Sequence, residues 1–305
     1  MFGRLASARR NHASCSGCSL CLLVCPVWRR THDPRMTPEG RAKALQHGAT
    51  AKDIEASVES CTLCGACEPV CPEQIDLVGM TLDLRQRLRE VTSAQPAPAS
   101  IASRSMRPAR PEARTVAFLP GAALQARPEA LAKVAGLVRA QVGADAGIDI
   151  ARALESGDPV PRERLEAFLA PLQDVGTLIV EDGLWLRHLA LWLPKARALG
   201  LGEALSALSS VRAGLRKNDL YIIEPRSYHR DYERLVGHYD RLQAERGCVF
   251  NLDLQRIAIP AAGQTDWILK GRAVDRIVVE RSEDGVAFLA RGTHSVVHLS
   301  ELADH

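Results

Sequence analysis

No apolar run in the 305 residues is long enough to cross a membrane as a helix. The longest apolar-looking piece, 184–193, is interrupted by Arg187 and His188 and reads as an amphipathic helix. No charge of one sign dominates: the formal net charge is +3, too mild to argue for a nucleic-acid partner. No secretory leader is visible, and no apolar segment follows Arg9-Arg10 to make a twin-arginine export signal. The expected compartment is the cytoplasm, with any membrane association made through partners. A nucleophile elbow, a phosphate loop and a flavin fingerprint are all missing. Nothing visible performs two-electron chemistry on a substrate. A Cys-Cys pair is also missing, and outside residues 15–71 cysteine is represented by Cys248 alone.

What is present is concentrated in one stretch. It contains Cys15-Ser-Gly-Cys18-Ser-Leu-Cys21-Leu-Leu-Val-Cys25-Pro26, and later Cys61-Thr-Leu-Cys64-Gly-Ala-Cys67-Glu-Pro-Val-Cys71-Pro72. Both have the spacing C-x2-C-x2-C-x3-C-P, the run that wraps a [4Fe–4S] cluster in bacterial ferredoxins. A cubane offers four iron corners, each taking one thiolate. The first three cysteines of a run loop around three corners, and small residues such as Gly17, Gly65 and Ala66 let the backbone come close. The fourth lies too far along the chain to return, and in two-cluster ferredoxins it ligates the other cluster. This assigns cluster I to Cys15, Cys18, Cys21 and Cys71, and cluster II to Cys61, Cys64, Cys67 and Cys25. Pro26 and Pro72 turn the chain after each crossing cysteine. Zinc is the competing reading, but a zinc site takes four ligands and would leave the third and fourth cysteines of each run idle. Disulfides would require an oxidising compartment.

Hydrophobic residues make up 46% of the chain, enough to fill a globular core. Residues 1–14 read as a flexible lead-in. In the spacer between the runs, Thr37 reads as an N-cap with Pro38 at the first helical position. Further helices are expected over 50–58 and 82–91. Residues 92–113 are rich in Ala, Pro and Ser, a linker composition. Beyond them, strands at 115–119, 177–180, 220–223, 249–252 and 276–279 alternate with helices at 128–140, 185–199 and 230–246. Residues 286–289 read as an extended piece or a helix start. Such alternation implies α/β layers with a mostly parallel sheet. The order of elements in 115–189 recurs in 219–289, a weak internal duplication. The expected fold is α+β overall. A helical two-cluster ferredoxin-like domain (1–91) and a linker (92–113) precede an α/β domain (114–305) of two pseudo-repeats, about 114–200 and 219–305.

Both cysteine runs, the intervening Thr37-Pro-Glu-Gly-Arg41, Ile75-Asp-Leu77 and Arg85 together resemble the iron–sulfur subunits of the heterodisulfide reductase C/D group. That group includes the iron–sulfur subunits of glycolate oxidase and anaerobic glycerol-3-phosphate dehydrogenase. More faintly, 116–122 and 296–302 resemble parts of the duplicated Cys-Cys-Gly domain that follows the ferredoxin in many relatives and binds a noncubane cluster. The resemblance implies a domain that has lost that cluster here. Ala122 stands in place of the Pro-Gly-Cys cysteine, and Glu224-Pro-Arg226 has no cysteine in the second repeat. It further implies an electron-transfer subunit with two [4Fe–4S] clusters in a hetero-oligomeric redox complex. The partners would be a flavoprotein, a Cys-Cys-Gly-type catalytic subunit, or both. The alternative is a reductase whose C-terminal domain keeps a catalytic site without the noncubane cluster.

The remaining candidates read as structural. Cys248, at a strand start, reads as a small buried hydrophobe. His294 and His298 stand at helical i, i+4 spacing with no third ligand evident, which suggests a helix surface. Gly200-Leu-Gly202 is expected to follow a helix and lacks the third glycine of a dinucleotide loop. Tyr228 and His229 suggest a structural role over acid–base chemistry. The basic cluster Arg4, Arg9, Arg10, Arg29 and Arg30 has two readings. One is a docking face for an acidic electron-transfer partner; the simpler one is a solvated arm whose charges offset anionic clusters.

Overall fold

A computed structural model describes residues 10–92, 115–292 and 294–304. The expected linker apart from Thr92, most of the lead-in, and Arg4 and Arg9 lie outside the described residues. The chain divides into two compact units, Met1–Ala97 with Ala153–Pro159 and Pro98–Arg152 with Val160–His305.

The first unit is helical. Two short helices follow Cys18: Leu20–Val24, which contains Cys21, and Pro26–Thr31, which starts after Cys25. The spacer supplies Pro38–Gln46 and Glu55–Ser60, the second preceded by a 3-10 turn Lys52–Ile54. The helix Leu77–Thr92 follows the second run. Thr37 caps Pro38–Gln46 as expected: its hydroxyl accepts from Gly40 N at 3.2 Å, and Pro38 occupies the first turn, where no N–H is needed. The last helix starts five residues before the expected 82, because Asp76 caps it by accepting from Gly79 N at 2.9 Å. Ala51, Val58, Leu84 and Leu88 form the small apolar core between these helices.

The second unit contains two four-stranded sheets of identical topology, in the orders β2-β1-β3-β4 and β6-β5-β7-β8. The strands of the first are β1 Val116–Leu119, β2 Gln141–Val142, β3 Thr177–Val180 and β4 Arg197–Gly200. Those of the second are β5 Asp219–Ile222, β6 Val249–Phe250, β7 Arg276–Val279 and β8 Ser295–His298. All pairings within both sheets are parallel. The central strands are buried on both faces, which is why they read as continuous apolar runs without alternation. Register confirms the duplication: Leu119 pairs with Val180, and Ile222 with Val279, at matching positions. Phe118 and Ile179 of one sheet and Tyr221 and Val278 of the other share a single apolar core.

Three expectations are corrected. The helix expected over 185–199 runs Leu184–Trp192, and 197–200 is the edge strand β4. Pro194 cannot continue the helix, and that signal outweighs the apolar periodicity. Gly200 therefore ends β4, and Leu201 and Gly202 open the helix Leu201–Ser206. His294 and His298 are not on a helix, because β-branched Val296 and Val297 favour the strand β8. His298 is buried, with Nδ1 2.8 Å from Ser300 Oγ and Nε2 3.1 Å from the Glu280 carbonyl. Residues 286–289 lie inside the helix Ser282–Leu289.

Asp219 and Arg276 start the paired strands β5 and β7 and face each other in register. Arg276 donates to both Asp219 oxygens, at 3.0 and 2.6 Å, and to the Gly214 carbonyl at 2.8 Å. Both side chains are almost wholly buried. Removing one partner strands the other charge without water. Asp219→Ala is expected to lower the unfolding free energy by roughly 3 kcal/mol or more, read as a shifted urea midpoint. A change of only a few tenths of a kcal/mol would show that water reaches Arg276.

Candidate metal centre

In the two cysteine loops, the residues on either side of the middle cysteine are left-handed. Around Cys18 they are Gly17 (φ 78°) and Ser19 (φ 62°); around Cys64 they are Leu63 (φ 55°) and Gly65 (φ 78°). Each loop thus has the same backbone shape with glycine on the opposite side. Left-handed residues in succession with right-handed ones form the concave backbone nests that surround anions, iron–sulfur clusters among them. Holding Leu63 in this conformation costs energy that its burial, at 2% exposure, helps to offset.

The long spacer has a structural use. Lys43 Nζ donates to the Cys15 carbonyl at 2.9 Å, and Gln46 Nε2 donates to the carbonyls of His12 and Cys15 at 2.9 and 3.0 Å. The helix Pro38–Gln46 therefore holds the first loop. Arg85, from the helix Leu77–Thr92, donates to the Cys61 carbonyl at 2.6 Å and so holds the entry to the second. Arg41 is buried and donates to the Ser57 carbonyl at 2.9 Å, tying the two spacer helices together. Arg41 and Arg85 are among the residues that carry the resemblance; Lys43 and Gln46 are not. Their side chains act as backbone clamps.

Cys15, Cys18, Cys21 and Cys71 line one cavity, together with Glu39, Ile75 and Leu77. Cys25 is buried; burial raises its thiol pKa, and the neighbouring Cys61 pushes the same way. Burial pushes the Cys21 and Cys64 thiols each up to about 12. Thiols so placed surrender their protons only to a strongly bound cation, and iron supplies that role in a cluster. The donor set fits: thiolates, concave loops and little water. Cys18 alone of the nine cysteines is exposed.

The second unit offers no comparable thiols. Cys248 is fully buried in the shared core, its thiol pushed up to about 11 by burial. Ala122 begins a short helix after Gly121. The strand ends carry carboxyl groups, a feature invisible to motif reading. Glu181, after β3, accepts from Gly121 N at 2.7 Å and from Ser282 N of the other repeat at 2.8 Å. Glu280, at the matching position after β7, accepts from Glu224 N, Tyr221 OH and Tyr239 OH at 2.7, 2.7 and 2.5 Å. Glu224 accepts from Ser227 N at 2.6 Å and from Gly183 N of the first repeat at 3.2 Å. Asp182 bonds Arg226 at 3.0 Å and Arg281 at 2.9 Å. Burial opposes ionisation of Asp182, but these two arginines outweigh it and hold the carboxyl below its usual range. The seam between the repeats is thus a buried polar network. At Gly202 any Cβ would overlap the Glu280 carboxyl. Beside it lies a cavity of ≈ 290 Å³ lined by Glu203, Ser227, Arg234, Tyr239 and Glu280, among others. Tyr228 and His229 are structural: the tyrosine hydroxyl donates to the Arg256 carbonyl at 2.8 Å, and His229 Nε2 accepts from Ala258 N at 3.1 Å.

Burial pushes Glu181 up to about 7 from an ordinary 4.5. The folded state therefore keeps a proton that the unfolded chain releases. Glu181 contributes its full stability below about pH 4.5 and loses it as pH rises through about 7. His298, lowered by burial to about 4, works oppositely in the same window, so parent and variant must be compared directly. Glu181→Gln, which cannot ionise, is expected to lose less stability than the parent between pH 5 and 8 in denaturant titrations. Parallel curves would mean that Glu181 is ionised throughout.

No helix among the described residues is long and apolar enough to cross a membrane. No curated protein and no solved structure matches the chain. Residues 11–75 match the 4Fe-4S dicluster domain family. That match spans both loops, the clamping helix Pro38–Gln46 and all eight clustered cysteines, and ends just before the helix of Arg85; the matched region of the chain is an iron–sulfur electron-transfer domain that holds two [4Fe–4S] clusters.

Proposed function

We propose that the chain is the electron-transfer subunit of a hetero-oligomeric redox complex of the heterodisulfide-reductase-like or 2-hydroxyacid-oxidase-like kind. Its partners in this reading are a flavoprotein, a Cys-Cys-Gly-type catalytic subunit, or both. The observation that carries it is the contrast between the two regions. Thiols crowd the two loops, while the strand ends of the duplicated sheets carry carboxylates and arginines that bond each other. Residues 1–91 then form the carrier domain, 92–113 a linker, and 114–305 an assembly scaffold in the cytoplasm. The clusters supply one-electron transfer. The chain's own residues hold the loops, exclude water and tune the potential through burial and hydrogen bonding around sulfur.

Cluster I is assigned to Cys15, Cys18, Cys21 and Cys71, and cluster II to Cys61, Cys64, Cys67 and Cys25. The four lining one cavity support the first set, and the closeness of Cys25 to Cys61 supports the second. A second reading, a reductase with a catalytic site in the C-terminal domain, draws on the cavity beside Glu280, whose carboxyl is pushed up to about 7 by burial. Turnover of a small substrate by the isolated chain with an artificial donor would favour that reading over the scaffold.

Isolation of the native complex tests the carrier role: co-purification with a flavoprotein or a Cys-Cys-Gly subunit supports it, and a chain recovered alone and redox-inert counts against it. The crossing is tested separately. Cys71→Ser is expected to damage the cluster held by Cys15, Cys18 and Cys21, read by EPR as loss of one cubane signal. Assignment of that loss is made against Cys18→Ser, which should remove the same signal. If Cys71→Ser instead matches Cys64→Ser, the crossed assignment is wrong.

A further inference from the structure

We propose that the face formed by residues 16–30 is the docking surface through which electrons leave the chain, and that it fits a redox protein with an acidic surface around its own redox group. This rests on the carrier reading and adds a place and a partner chemistry to it.

Three independent asymmetries coincide on this face. The first is thiol exposure: Cys18 is the exposed cysteine, whereas Cys21, Cys25 and Cys64 are buried. Electron transfer weakens steeply with distance, so an exposed ligand marks where a partner approaches most closely. The second is apolar. Leu20 and Leu23 are 42% and 56% exposed, and they are the exposed large hydrophobics among the described residues of the first unit. They stand three apart on the helix Leu20–Val24 and so share one face. An apolar pair beside an exposed cluster ligand, ringed by polar groups, has the anatomy of a small interface core.

The third asymmetry is charge. Arg29 and Arg30 lie on the helix Pro26–Thr31, and the Arg29 guanidinium reaches the Leu23 carbonyl at 3.4 Å. Residues 10–35 hold four arginines and one aspartate, and that aspartate, Asp33, is paired with Arg35. Residues 61–76 hold Glu68, Glu73 and Asp76 and no lysine or arginine. Glu39 and Glu73 line the cavity beside Cys18, and Arg10 is paired with Glu73, so the positive charge of this face comes from Arg29 and Arg30. A cationic rim around an apolar centre steers an acidic surface toward Cys18 and repels a basic one. The transfer is simple in its balance: the reduced cluster loses one electron, the acceptor gains one, and no bond forms or breaks.

The full chain with reconstituted clusters is tested against two probes of opposite charge, an acidic flavodoxin and a basic cytochrome c. Equilibrium binding is measured calorimetrically with both proteins oxidised. The second-order rate of acceptor reduction is measured separately by stopped flow. The chain is expected to bind and reduce the flavodoxin preferentially, with both weakening as salt rises. The double variant Arg29→Glu/Arg30→Glu should slow flavodoxin reduction by roughly tenfold or more, and Leu20→Ser/Leu23→Ser should weaken binding while keeping the salt dependence. Lys52→Glu/Arg87→Glu, with the same net charge as the arginine variant but on other elements, should change neither. Preference for the cytochrome, or an equal loss in that control, would overturn the docking face. Failure of the carrier reading looks different: the clusters would exchange no electrons even with ferricyanide.

Discussion

Thiolate burial is the constraint on which the first unit is built. A cluster works as a carrier only where water is scarce, yet a thiol without water resists ionisation, as Cys21 and Cys64 show. The chain meets this with backbone geometry and with distant clamps. Left-handed residues flank each middle cysteine, and Lys43, Gln46 and Arg85 reach in from helices to hold carbonyls of the cysteine peptides. The spacer between the runs, long for a compact ferredoxin, is explained by that duty. It is two helices that brace each other through Arg41 and Ser57 and brace the first loop through Pro38–Gln46.

The second unit solves a different problem. Two short parallel sheets, each too small to bury itself, share one core and meet along their strand ends. There Glu181, Asp182, Glu224 and Glu280 are held by backbone N–H groups, phenols or arginines. Glu181 and Glu280 occupy equivalent positions and accept equivalent bonds from the strand beside them. The network cross-links the repeats, since Glu181 also accepts from Ser282 and Glu224 also accepts from Gly183. A buried network of this kind fixes one arrangement of the two halves more than it adds to their stability.

Much of this was legible in the sequence. The cysteine spacing fixes the cofactor type, Thr37-Pro38 fixes a helix start, and the runs at Thr177–Val180 and Arg276–Val279 announce buried parallel strands. The duplication was visible as an order of elements and became a matched register. The losses have physical reasons. The edge strand β4 has half-exposed residues and follows an apolar helix, so Pro194 was its main signal. His298 has helical spacing from His294 but sits in a strand, where tertiary pairing overrides period. The seam was illegible because its glutamates lie far apart in the chain, and only the fold brings Glu181 to Ser282. The clamp Lys43 was equally hidden, since its partner is a carbonyl, which has no sequence signature; Arg85 stood out through the resemblance, but its carbonyl partner did not.

The central claim is that the chain's redox chemistry lies wholly between Cys15 and Pro72, and that the duplicated unit carries none. An EPR-monitored potentiometric titration of the full chain, paired with iron analysis, tests it most directly. The expected result is about eight irons per chain and two one-electron waves, both with cubane signals. A third redox centre, or a noncubane signal that survives Cys18→Ser and Cys64→Ser together, would contradict it.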